Sequence, residues 1–241
     1  MHLPLAHLPI PGVSNPIVMV NVEEVKVSIE VEVLLLSGRD RVEITGVLGE
    51  YMLRFKKSLE RLLTRNFSLI CRGTSDYDVL AYAVVTNEIV KKLSGSLSET
   101  ELQIASSIDL DLGLPDYVSA SRHSPMLTSH YAWRRGEPLV DLGLETTFRL
   151  RSFRVVSELS QPFLSVSKEA VSHLVGRSAV ILARAVMGGD VEEVRRVVRF
   201  INGLWYSVYG LKAPCGGEVS VYVPGLNKVY CAELEVIPRT S

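Results

Sequence analysis

Lys212, Cys215, Gly216 and Gly217 fall in one turn of the stretch YGLKAPCGGEVSVYVPG, residues 209–225, between a helical and a strand pattern. A lysine beside glycine N–H groups can hold a phosphate. The same glycines can instead supply the positive φ of a tight helix-to-strand connection. Cys215 beside two glycines is a candidate nucleophile, but no partner base is identifiable to activate it. The histidines at 2, 7, 123, 130 and 173 form no metal-ligating spacing, so no metal site is expected from them. Asp109 and Asp111 can lie on one side of an extended segment and bind magnesium, or form a solvated turn. Arg195, Arg196 and Arg199 follow Glu192 and Glu193 by about one helical turn, which predicts a salt-bridged surface. Trp133, followed by Arg134 and Arg135, reads as an exposed hairpin tip.

The elements that must position these residues show two rhythms. IVMVNVEEVKVSIEVEVLLL, residues 17–36, alternates in its middle, with Val25, Val27, Ile29, Val31 and Val33 on one face and Lys26, Ser28, Glu30 and Glu32 on the other. It reads as long strand structure, followed after SGRD by RVEIT as a hairpin partner. Leu48, Met52, Phe55, Leu59, Leu62 and Leu63 recur at helical steps. FSLIC (67–71) is a short buried strand leading into an apolar central helix, and Ser98 with Glu101 opens another helix by a capping box. The second half begins with TTFRLRSFRVVSE (146–158) as a strand, then helices over 167–187 and 190–206 separated by Gly188 and Gly189. EVSVYV and KVYCAELEVI close the chain around the hairpin signal PGLN. The order β-α-α-β-β predicts a small sheet covered on one face by a helix pair, with a boundary near 142–145.

At 241 residues, with 47% hydrophobic and 22% charged side chains, the chain can build a substantial core in one large domain or two modest ones. A net charge of −1 provides no basic field for nucleic acid. The start MHLPLAHLPIPG has neither the cationic head nor the unbroken apolar core of a signal peptide. No apolar run approaches the roughly 18 residues of a membrane span, so a cytoplasmic protein without membrane or nucleic-acid partners is expected. Three cysteines without Cys-x-x-Cys spacing are expected to be reduced thiols. Two glutamines against abundant Val, Leu, Arg and Glu lean toward a thermophile-like composition.

Together with three local stretches, this arrangement resembles the GHMP superfamily of small-molecule kinases, and within it the mevalonate diphosphate decarboxylase branch. The resemblance covers most of the chain from about residue 15. It implies an α+β fold with a ribosomal protein S5 domain 2-like N-terminal domain (1–144) and a ferredoxin-like C-terminal domain (145–241). Nucleotide and substrate would lie in the cleft between them. In FSLICRGTSDYDVLAYA, residues 67–83, Gly73, Thr74 and Ser75 occupy the place of the family's phosphate loop at a helix start. Without the resemblance, these residues read as a helix capped by Ser75 or Asp76. In GLPDYVSASRHSPMLTSH, residues 113–130, Asp116 matches the acceptor-orienting aspartate, while Ser121 and Arg122 match the decarboxylase segment whose arginine grips the substrate's anionic end. Read alone, this is a surface turn whose Asp and Ser cap a helix. Lys212, Gly216 and Gly217 match the family's third, glycine-rich loop. Asn15 is similar to the asparagine of a Gly-Asn-Pro segment in some members.

The resemblance thus implies phosphoryl transfer or decarboxylation on an anionic, isoprenoid-like metabolite with Mg-ATP, in a possible homodimer. Asp76 and Asp78 in the first loop, Pro214 in the third and the shortened start depart from the pattern. They support the alternative, a catalytically inactive homologue that binds a metabolite or another protein.

Overall fold

The computed structural model describes all residues except 9, 11, 23–26, 36–37, 45–47, 159–165, 210–218, 226–227 and 239–241. The chain runs β1 (His2–Leu5), β2 (Ile17–Asn21), β3 (Val27–Leu34), β4 (Arg41–Glu43), α1 (Gly49–Leu63), β5 (Ser68–Ser75), α2 (Asp78–Ser94) and α3 (Glu99–Asp111). It continues through α4 (Asp116–Ala120), a 3-10 turn (Ser121–Met126), β6 (His130–Trp133), β7 (Val140–Gly143), β8 (Thr146–Glu158), α5 (Lys168–Gly188), α6 (Val191–Tyr209), β9 (Val219–Gly225) and β10 (Lys228–Pro238). It is a mixed α+β fold. Two compact units divide it, one made of residues 25–125 and the other of residues 1–24 with 126–241. This division is discontinuous and differs from a single boundary between 144 and 145.

In the unit of residues 25–125, β5 is the centre of a three-stranded sheet ordered β3-β5-β4. β3 pairs with it antiparallel from Val27↔Ser75 to Leu34↔Ser68, and β4 pairs parallel. RVEIT is therefore not a hairpin partner of the preceding strand, because the apolar run with Leu69 and Cys71, both 0% exposed, takes the central place. The alternation expected of β3 holds, with Ser28, Glu30 and Glu32 exposed and Val27, Ile29, Val31 and Val33 half-buried. The stretch 17–36 is two strands in different units, and the expected continuation through 23–26 lies outside the described residues. Buried Met52, Phe55 and Leu59 give α1 its inner stripe, and α2 packs against both α1 and the sheet. The α3 capping box is present, the Ser98 N–H donating to Glu101 Oε2 at 2.8 Å.

The other unit holds two antiparallel sheets, β1-β2-β6-β7 and β8-β10-β9. β8, α5, α6, β9 and β10 form the expected sheet with a helix pair, β10 between the two other strands. Ser167 caps α5 by accepting from the Ala170 N–H, and Asp190 caps α6 by accepting from the Glu193 N–H at 3.0 Å. By length and composition α5 could cross a membrane, but its inner face, with Val171, Val175, Leu182 and Val186, is packed within the fold. His130 joins three strands: its Nδ1 accepts from the Asn21 N–H at 2.9 Å and its Nε2 donates to the Thr146 carbonyl at 2.6 Å. Trp133 is only 5% exposed, at the base of the β6–β7 hairpin, while Arg134, next along the expected tip, is exposed. Cys231 is disulfide-bonded, which corrects the expectation of reduced thiols there, whereas Cys71 is a free, buried thiol.

Candidate functional site

The polar centre of the unit 25–125 forms around Arg122. On α2, Tyr82, Thr86 and Asn87 are four and five residues apart and share a face. On α3, Asp109 lies seven residues after buried Leu102, on the same inner stripe as Ala105 and Ile108. The short α4 brings up Ser119, and the 3-10 turn drives Arg122 inward between these helices. Asp109 is therefore neither on an extended segment nor in a solvated turn. It is 0% exposed, while its sequence neighbour Asp111 is exposed.

Arg122 is itself 0% exposed. Its Nε donates to Asp109 Oδ2 at 2.8 Å and its Nη2 to Asp109 Oδ1 at 2.6 Å, a bidentate pair. Its Nη1 donates to Thr86 Oγ1 at 2.8 Å and to Asn87 Oδ1 at 3.2 Å. The guanidinium carbon lies 4.8 Å from the Phe55 ring centroid and 5.5 Å from that of Tyr82. Asp109 is equally occupied, taking the Tyr82 hydroxyl at 2.6 Å and the Ser119 hydroxyl at 2.9 Å besides the arginine. Burial opposes the Arg122 charge, but the Asp109 carboxylate more than offsets it, and the guanidinium pKa is raised. Burial, reinforced by Asp109, holds the Tyr82 phenol well above its ordinary range.

Four of the five N–H vectors of this guanidinium are thus used inside the protein. A substrate anion would have to displace Asp109 and leave a buried carboxylate unpaired. Arg122 consequently does not stand as an open anchor for a substrate's acidic end. Ser121 is also fully buried, its hydroxyl donating to the Tyr117 carbonyl at 2.8 Å. Next to them, burial and then the Arg122 charge lower the His123 pKa to about 4.

Gly73, Thr74 and Ser75 are the last residues of β5, paired with Ile29, Ser28 and Val27. They form extended strand rather than a loop of N–H groups around a helix start. Gly73 has φ +142, and a Cβ there would stand 2.0 Å from the Ser28 carbonyl oxygen, so glycine is required by the approach of β3. The N-cap of α2 is Tyr77, not Ser75 or Asp76. The Ser75 hydroxyl bridges the Tyr77 backbone instead, accepting from its N–H at 3.1 Å and donating to its carbonyl at 2.8 Å.

Asp116 is the first residue of α4 and half-buried, in the same segment as Arg122. Lys212, Cys215, Gly216 and Gly217 lie outside the described residues. Asn15 is buried in the other unit, where its Oδ1 accepts from the Ser172 hydroxyl at 3.1 Å beside Gly176 of α5. Among the described residues no cluster of His, Cys, Asp or Glu is grouped to hold a metal. The residues that sequence reasoning missed are Tyr82, Thr86, Asn87 and Ser119, together with the role of Asp109. The available signal was the position of Asp109 on the apolar stripe of α3, where a carboxylate needs a buried cation.

No protein-family model matches the sequence, and no curated protein sequence does. Solved structures do match. Mevalonate diphosphate decarboxylase from Staphylococcus aureus superposes with a TM-score of 0.63 at 9% identity, covering 99% of this chain and 86% of that one. MDDEF in complex with MVAPP, AMPPCP and magnesium gives 0.61 at 9% identity, covering 99% and 87%. L. major mevalonate kinase in complex with R-mevalonate gives 0.53 at 10% identity, covering 86% and 73%. The chain shares its fold with these mevalonate diphosphate decarboxylase and mevalonate kinase structures.

Proposed function

We propose that this protein is a GHMP-fold homologue without phosphotransferase activity, acting in the cytoplasm as a metabolite-binding or protein-interaction subunit, alone or as a homodimer. Its scaffold joins an S5 domain 2-like domain to a ferredoxin-like one. The observation that carries the reading is the closed Arg122–Asp109 pair, which spends on an internal carboxylate the cation expected to hold substrate. The described residues do not fit Mg-ATP either: Gly73–Ser75 are paired strand, and Asp76 and Asp78 stand where phosphate would approach α2.

One observation favours the active alternative, a kinase or decarboxylase using Mg-ATP on an anionic, isoprenoid-like metabolite. A protein of this fold binds MVAPP, AMPPCP and magnesium. In that reading Asp116 orients the acceptor, and Lys212, Gly216 and Gly217 hold phosphate.

Thermal unfolding with millimolar Mg-ATP and Mg-ADP separates the two. The inactive reading expects an unchanged melting temperature. Nucleotide at about 100 times its Kd would add about 2.7 kcal/mol of stability, and a rise of that kind would overturn it.

A further inference from the structure

α5 presents a second feature that the proposed function does not use. Its outer face exposes Leu174, Val180, Ile181 and Met187 at 41, 48, 38 and 49%. The charges on that face are Arg177 and Arg184, both exposed, and no acidic residue follows Glu169 along the helix. Other surface arginines meet glutamates within the fold, such as Arg72 with Glu43, Arg151 with Glu235 and Arg195 with Glu192. Arg177 and Arg184 have no such partner among the described residues.

The placement of the two arginines narrows what can cover them. At about 100° per residue they fall within about 20° of each other, on the midline of the exposed face and about 10 Å apart along the axis. Val180 and Met187 flank the midline on one side, Leu174 and Ile181 on the other. A membrane surface is disfavoured, because the midline of a lipid-facing helix inserts deepest and interfacial arginines sit at the margins. A second α5 is disfavoured too. Antiparallel pairing about Val180 and Ile181 sets Arg177 against Arg184, and parallel pairing sets each arginine against its own copy. What matches is a cationic row between two apolar rows: an anionic row between two apolar rows.

We propose that the outer face of α5 is a docking surface for a different protein, whose amphipathic helix presents carboxylates one heptad apart between apolar flanks. The charge pairs set register and specificity while the flanks bury apolar area. This deepens the protein-interaction arm of the proposed function but does not require it. A nucleotide-dependent melting shift would overturn that reading and leave this surface untouched.

The test uses the full chain, immobilised, and a displayed library of helical peptides with an apolar stripe and Glu, Lys, Ala and Leu randomised at the seam positions. The expected result is enrichment of Glu or Asp at two positions seven apart. Binding of the winning peptide should weaken as salt rises and fall about tenfold or more in Arg177→Glu with Arg184→Glu. Both residues are exposed, so the variant keeps its fold, which its melting temperature checks. Lack of enrichment, enrichment of lysine, or equal binding by the variant overturns the proposal. So does sedimentation of the wild-type chain with phosphatidylglycerol vesicles that the variant loses, or a wild-type dimer in sedimentation equilibrium that Ile181→Glu dissolves.

Discussion

Arg122 carries the sharpest difference between type and role. Arginine suits bidentate recognition of an anion, and that chemistry is present here, directed at Asp109 inside the protein. A buried ion pair stabilises little against an apolar substitute, yet is expensive to break from one side. Arg122→Ala and Asp109→Ala are each expected to lower unfolding free energy by about 3–5 kcal/mol in urea. Arg122→Met combined with Asp109→Leu should recover only part of that loss, because the buried Tyr82 and Ser119 hydroxyls then lose their acceptor. Were Arg122 an open substrate anchor, the single substitution would leave stability near wild type, and urea midpoints decide between these. The segment SASRHS made Arg122 visible as a candidate. The direction of its guanidinium depends on α2 and α3 and was not legible locally.

At the scale of elements, most helices and strands could be read from period and punctuation. α5 and α6, the cap at Ser98, and the alternation of β3 all appear where the pattern places them. Pairing was harder, because a strand's neighbours are chosen by burial and not by adjacency in sequence. β5 inserts between β3 and β4, and this turns a loop of small residues, Gly73 to Ser75, into paired strand. Gly73 then answers to the backbone of β3 rather than to a ligand. Gly73→Ala is expected to cost about 1–3 kcal/mol of stability through strain at positive φ and the clash with Ser28. A melting temperature equal to wild type would show that β3 and β5 separate there.

Across the whole molecule, buried histidines couple stability to pH. Burial lowers the pKa of His7 to about 3 and, with Arg122, that of His123 to about 4; burial also lowers that of His130. His7 and His123 stay neutral in the folded state down toward those values while the unfolded chain takes up protons below about 6.5. Their stabilisation is complete above that pH and is lost as pH falls toward the folded values, His7 and His123 each giving a slope of up to about 1.4 kcal/mol per pH unit. Urea midpoints should decline between pH 6.5 and 4.5, and His123→Gln should flatten the decline. Midpoints constant over that range would mean that the histidines are accessible in the folded state.

The sequence by itself determined the α+β composition, the helix pair on a terminal sheet and the Ser98 cap. These rest on periodicity and end signals, which are properties of neighbouring residues. The tertiary structure alone decided that Arg122 is spent on Asp109, that Gly73–Ser75 are strand, and that Arg177 and Arg184, along an apolar face, have no carboxylate partner among the described residues. Each of those facts depends on which distant group fills the space beside a side chain. Charge and burial are settled by that neighbour, and local sequence does not name it.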